Sequence, residues 1–116
     1  MMSSRPSGAL GVARAGIQEH RAVPYFLYIM ASGPKGTLYI GVTSNLSARV
    51  AQHKSEELGG FTARYGVNRL VFAEEFGRIE DAIESERRVK RWRRNWKIEL
   101  IEKTNPDWRD LASSYV

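Results

Sequence analysis

Residues 25–42 read YFLYIMASGPKGTLYIGV, and this stretch decides the fold. Tyr25 to Met30 is an aromatic and β-branched run that suits a strand. Ser32-Gly33-Pro34-Lys35-Gly36 is a turn cluster, and Thr37 to Val42 forms a second strand. Two strands joined this closely make a β-hairpin, which excludes a simple alternating parallel sheet. Gly41, near the end of the second strand, signals close approach of another group to the backbone.

Outward from the hairpin, Thr43-Ser44-Asn45 offers helix-capping side chains for a helix from about Leu46 to His53. Gly59-Gly60 breaks the chain, and Val67 to Phe76 reads as a third strand. Glu80 or Asp81 opens a long helix reaching about Trp92, and a last helix covers roughly Trp96 to Glu102. Pro106 begins a terminal segment whose Trp108 and Leu111 should pack back onto the core. The order β, β, α, β, α, α predicts an α/β (α+β) domain, a small antiparallel or mixed sheet flanked by helices. That domain should occupy 24–116, with residues 1–23, rich in Ser, Gly, Ala and Arg, as a disordered leader.

The chain has 116 residues, room for one domain with a modest core. Its 18 Lys and Arg against 13 Asp and Glu give a formal net charge of +5. That balance fits a polyanionic partner, although charge alone does not separate nucleic acid binding from a merely basic soluble protein. Cysteine is absent, which rules out disulfides and cysteine–zinc sites and fits a reducing cytoplasm. No apolar run approaches the length of a membrane span, and no secretory signal is visible.

Several ionisable side chains fall on apolar stripes. On the long helix, Ile79, Ala82, Ile83, Glu86 and Val89 share a face by their spacing, so the Glu86 carboxylate sits where a core residue belongs. A charge there must be paired or bind a cation; Lys90, one turn on, is the available structural partner. On the helix after Asn45, Leu46, Arg49, Val50 and His53 share a face, with Arg49 and His53 one turn apart. Either these two snorkel to the edge of the packing, or they face a shared cleft. In the hairpin, Tyr28 shares a face with Phe26 and Met30, while Tyr39 shares one with Gly41.

An acid, an arginine, a histidine and tyrosines suit phosphodiester cleavage. A carboxylate can hold a hard divalent cation with several waters. Arginine can grip phosphate oxygens through parallel donors, and histidine or tyrosine can act as general base.

The same residues complete a family pattern. Phe26-Leu27-Tyr28, ten residues, then Tyr39-Ile40-Gly41 resembles the two tripeptides that name the GIY-YIG nucleases. Thr43 to His53 looks like the helix that follows them, and Ala82 to Glu86 like the helix carrying the family's metal carboxylate. Phe61-Thr62 with Tyr65, and the stretch Lys90 to Lys97, match the short single-domain bacterial members. The resemblance implies a central three-stranded antiparallel sheet and a metal-dependent endonuclease, with DNA as the expected partner. It implies a magnesium or manganese ion held by Glu86, Arg49 on the scissile phosphate, Tyr39 activating the nucleophile or lying beside the attacking water, and Tyr28 and His53 completing the site. Only the tyrosine of the first tripeptide is kept, and Val42 stands where some relatives carry lysine.

From Arg87 to Lys97 the chain carries Arg87, Arg88, Lys90, Arg91, Arg93, Arg94 and Lys97 with no intervening acid. Arg87, Lys90, Arg91, Arg94 and Lys97 are the expected phosphate contacts. Arg91 and Arg94 share a face if the helix continues through them. Trp92 and Trp96 fit packing on the core better than stacking on bases. A non-catalytic nucleic-acid-binding module with the same fold is the alternative to a nuclease. A protein-interaction domain would leave the placement of Glu86 unexplained.

Overall fold

A computed structural model describes residues 23–55 and 60–115. The expected leader lies outside the described residues, apart from the exposed Val23. The hairpin forms as anticipated: β1 (Tyr25–Ala31) and β2 (Leu38–Thr43) pair antiparallel, with Tyr28 opposite Gly41. β3 (Arg69–Phe76) pairs antiparallel with the other side of β1, giving the order β2–β1–β3. Of the two sheet types expected, the antiparallel one is therefore adopted.

The central place of β1 explains its composition. Leu27 to Ala31 are all fully buried, because both faces and both edges of the strand are covered. A strand covered on both faces can be apolar at every position. Leu27, Ile29 and Ala31 face one side, where Ile40, Val71, Phe72, Val89, Ile101 and Trp108 join them. Tyr28 and Met30 face the other, with Leu46, Val50, Val67 and Leu70. Helices α3 (Ile79–Arg91) and α4 (Arg94–Thr104) cover the first face through Val89 and Ile101. Helix α1 (Leu46–Ser55) covers the second through Leu46 and Val50. Among the described residues, no helix is long and apolar enough to cross a membrane.

The terminal segment packs back as expected. Trp108 is buried against the first face, its indole donating to Glu102 at 2.7 Å. Leu111 N–H donates to the Leu70 carbonyl, and Leu70 N–H donates to the Asp110 carboxylate, so this segment caps the outer edge of β3. An otherwise open strand edge is thereby covered.

Three expectations need correction. A short helix, α2 (Gly60–Arg64), follows the glycine pair where only a break was anticipated. Gly60 takes a left-handed conformation at φ 59°, which starts the helix at little steric cost. The strand begins at Arg69, because Val67 N–H is taken by the Thr62 carbonyl in closing α2. Helix α3 ends at Arg91 and α4 begins at Arg94, since Trp92 and Arg93 are extended at ψ 150° and 159°. No continuous helical face therefore joins Arg91 to Arg94.

Candidate active site

Tyr28 is the centre of the second face. Its cross-strand neighbours are Gly41 on β2 and Ala73 on β3, small residues that leave room for the phenol ring. A Cβ at position 41 would lie 2.8 Å from the Tyr28 hydroxyl and 2.9 Å from Cζ. The close approach that Gly41 signals in the sequence is thus made by the Tyr28 ring.

Helix α1 delivers the next two groups. Asn45 caps it, its side-chain oxygen accepting from Ala48 N–H at 3.2 Å, and Thr43 Oγ1 accepts from Asn45 N–H at 3.0 Å. This start fixes the helical phase. Leu46, Val50 and His53 then point inward, and Arg49 is half-buried between them. His53 is only 1% exposed, so it lies inside the core rather than at its edge. Its Nε2 lies 3.3 Å from the Tyr28 hydroxyl. Its Nδ1 has no hydrogen-bond partner among the described residues. Tyr39 completes the triangle, its ring centroid 5.1 Å from His53 and 6.2 Å from Tyr28.

The electrostatics follow from burial. Desolvation pushes the Tyr28 phenol up to about 12, and the neighbouring Tyr39 adds to the rise. Arg49, by hydrogen bonding and charge, pulls the other way, and Glu86 contributes a further upward push. Desolvation also holds His53 below the ordinary imidazole value, reinforced by the Arg49 charge. A buried imidazole beside a guanidinium is therefore neutral at pH 7 and can accept the Tyr28 proton at Nε2. The Tyr28 phenol therefore keeps its proton at pH 7.

Glu86 arrives from α3, a helix packed on the opposite face, yet its charge reaches Tyr28. The inner row of α3 is Ala82, Ser85 and Val89; Ile79 is exposed, and Glu86 borders the row, its side chain 21% exposed. The carboxylate is therefore half-buried rather than inside the core. It pairs with Lys90 at 3.0 Å, so the structural partner available in the sequence is in place. Among the described residues, no group of three or more His, Asp or Glu is gathered as a metal cage. A lone half-buried carboxylate does fit a hard cation that keeps most of its waters. Tyr28, Tyr39, Arg49 and His53, which come from three separate elements, are thus brought together, and Glu86 reaches them only through its charge.

The expected phosphate contacts are not all alike. Arg87 and Arg91 are exposed on α3. Arg94 donates to the carbonyls of Lys35 (2.5 Å) and Gly36 (2.7 Å), pinning the hairpin turn. Lys97 donates to the Lys90 carbonyl at 3.2 Å. Lys90, Arg94 and Lys97 nevertheless line one groove of about 510 Å³ with residues 37–40 of the hairpin, Tyr39 among them. The tryptophans divide: Trp92 is half-buried against the first core, whereas Trp96 is exposed. Sequence reasoning passed over Lys35 and Gly36, because a carbonyl that receives a distant guanidinium leaves no mark in residue type.

The GIY-YIG catalytic domain model matches residues 24–99. The chain is 31% identical over 97 residues to a UPF0213 protein of Streptococcus pneumoniae, covering 84% of this chain and 92% of the relative. It is 30% identical over 78 residues to one of Staphylococcus haemolyticus, covering 67% and 94%. It is 29% identical over 85 residues to one of Lacticaseibacillus paracasei, covering 73% and 94%. The solution NMR structure of a UPF0213 protein from Bacillus halodurans aligns with a TM-score of 0.49 at 26% identity, over 75% of this chain and 92% of that one.

Proposed function

The chain belongs to the GIY-YIG family, and on that premise we propose that it is an endonuclease hydrolysing phosphodiester bonds in nucleic acid, DNA in the first instance. The observation that carries this reading is the meeting of a tyrosine pair, a buried histidine and an arginine from three elements, with the charge of an acid felt at Tyr28. Folding alone has no need of it, since burying ionisable groups opposes stability.

The roles follow from exposure. Tyr39, half-exposed at the mouth of the cluster, reaches substrate and orients the attacking water. Arg49 grips two phosphate oxygens with its planar fork and stabilises the charge that develops on them. Tyr28 and His53 are too buried to meet bulk water and hold Tyr39 and Arg49 in position. Glu86 would hold magnesium or manganese, releasing Lys90, whose side chain is 54% exposed and free to swing aside. What such an ion supplies when bound is polarisation of the phosphate and a more acidic water. In the reaction, the water oxygen bonds to phosphorus and gives up a proton, the bridging P–O bond breaks, and the leaving oxygen takes up a proton in its place, so that the net change is addition of one water across the bond. Arg87 and Arg91 offer phosphate contacts, together with the groove of Lys90, Arg94 and Lys97.

The Glu86–Lys90 pair favours a second reading, a non-catalytic binding module in which the acid is only structural. Incubation with labelled branched, single-stranded and duplex substrates, with and without manganese, separates the two. Manganese-dependent cleavage supports the nuclease; binding without cleavage of any substrate supports the module.

A further inference from the structure

Helix α2 and the turn that follows it carry a feature that the proposed chemistry leaves unused. Phe61 and Tyr65, four residues apart, are 48% and 49% exposed, and their ring centroids lie 4.9 Å apart. The Arg64 guanidinium sits 5.6 Å from the Tyr65 ring centroid. The element is anchored rather than loosely placed. Thr62, between the two rings in sequence, is buried, and Val67 N–H donates to its carbonyl at 2.8 Å. Val67 in turn packs in the same cluster as Tyr28, so the segment that carries the aromatic pair is tied to the second face of the sheet.

We propose that Phe61 and Tyr65 form a stacking platform for unpaired nucleobases, with Arg64 contacting the adjoining phosphate. This inference rests on the nuclease reading and narrows it: the substrate has single-stranded nucleotides near the cut, rather than unbroken duplex. Every base has a π-face, so exposed rings beside a cation bind single strands with little regard to sequence. The bases of an intact duplex are stacked on each other and do not offer those faces. Of the other exposed aromatics, Tyr115 is already packed edge-on against Phe26, and Trp96 has an arginine over it, Arg93 at 5.3 Å. The groove it shares with Trp92, however, is lined by two acids, Glu99 and Glu102, against one base, Lys103, a balance that disfavours a phosphate backbone.

The test uses the full chain in chelator, so that no cutting intervenes, with a labelled oligothymidine and a blunt duplex followed by fluorescence anisotropy. Phe61→Ala with Tyr65→Ala is expected to weaken oligothymidine binding about tenfold or more and duplex binding far less, since stacking is the interaction removed. Phe61→Leu with Tyr65→Leu keeps the apolar cover but not the π-faces, and should lose the same affinity. Photo-crosslinking with iodouracil oligomers should label Phe61 or Tyr65 of the parent. Equal losses on both probes, or unchanged oligothymidine binding with crosslinks elsewhere, would overturn the platform while leaving the nuclease reading intact. Concentration-dependent self-association abolished by the double alanine variant would overturn it in favour of a contact between copies. A parent that binds neither probe removes the nuclease reading and the platform together.

Discussion

The two faces of the sheet are built differently. The first is closed by Leu27, Ile29, Ile40, Val71, Val89, Ile101 and Trp108, an apolar cluster under α3 and α4. The second holds Tyr28 and His53 in contact within its core, with Arg49 half-buried beside them. The buried side-chain atoms without partners among the described residues, His53 Nδ1 and Thr62 Oγ1, belong to segments packed on this second face. Apolar burial stabilises, and an unpaired buried polar atom opposes that by about 1–3 kcal/mol. The first face therefore supplies stability, and the second spends part of it on holding reactive groups in place.

Exchanging side chains between these roles tests that division. The largest effect is expected from Trp108→Ala on the first face. It should lower stability by roughly 3–5 kcal/mol, with cleavage per folded molecule unchanged; denaturant melts and activity below the transition give both quantities. Glu86→Gln should do the reverse. Loss of the acid is expected to cut manganese-dependent cleavage by about 10²-fold or more, while the thermal midpoint stays near that of the parent, because an i,i+4 pair with one exposed partner contributes only about 0.3–0.5 kcal/mol. A large fall in the midpoint instead would assign Glu86 to structure. Arg49→Lys keeps the charge but loses the fork, and single-turnover rates should fall roughly 10²-fold.

Smaller effects mark where the two roles meet. Gly41→Ala places a methyl against the Tyr28 ring, which neither strand can easily yield. A destabilisation of about 1–3 kcal/mol is expected, as for other overpacked positions, together with loss of activity; an unchanged melt would mean that the ring moves freely. The least effect concerns Asp110. Burial works to raise its pKa, but hydrogen bonds from Lys54, Ala112 and Leu70 and the Lys54 charge prevail, and it lies below the ordinary carboxylate value. A group depressed on folding stabilises above its unfolded pKa and loses that contribution as pH falls through the folded value. The parent should therefore lose stability on going below about pH 4, and Asp110→Asn should flatten part of that loss. The partners are exposed by 41% and 36%, so the shift in midpoint at neutral pH should be slight.

Much of the site was legible before folding, because its residues fall on regular periods. Tyr28, Tyr39 and Gly41 follow the two-residue alternation of strands, and Leu46, Arg49, Val50 and His53 follow the helical turn, so their faces could be assigned. The spacing of Glu86 was read slightly too far inward, since the inner row of α3 runs through Ser85 instead. Helix α2 was missed because five residues after a glycine pair carry too short a period to stand out. The four-residue spacing of Phe61 and Tyr65 was the signal that could have shown it.

The sequence by itself determined the hairpin, the sheet-with-helices architecture, the basic run and the faces on which Tyr28, Tyr39, Arg49 and His53 lie, because alternation, capping and turn chemistry act over a few neighbouring residues. Only the tertiary structure decided how far each group is buried. That step brought the Tyr28 hydroxyl to His53 Nε2, raised the phenol and lowered the imidazole, since desolvation depends on what is packed above a side chain. It also decided where the expected break between the last two helices falls, at Trp92 and Arg93, where no glycine or proline stands. Packing of Trp92 on the first face and the grip of Arg94 on the hairpin carbonyls accompany the turn between α3 and α4. Contacts so distant in the chain leave no periodic trace in it.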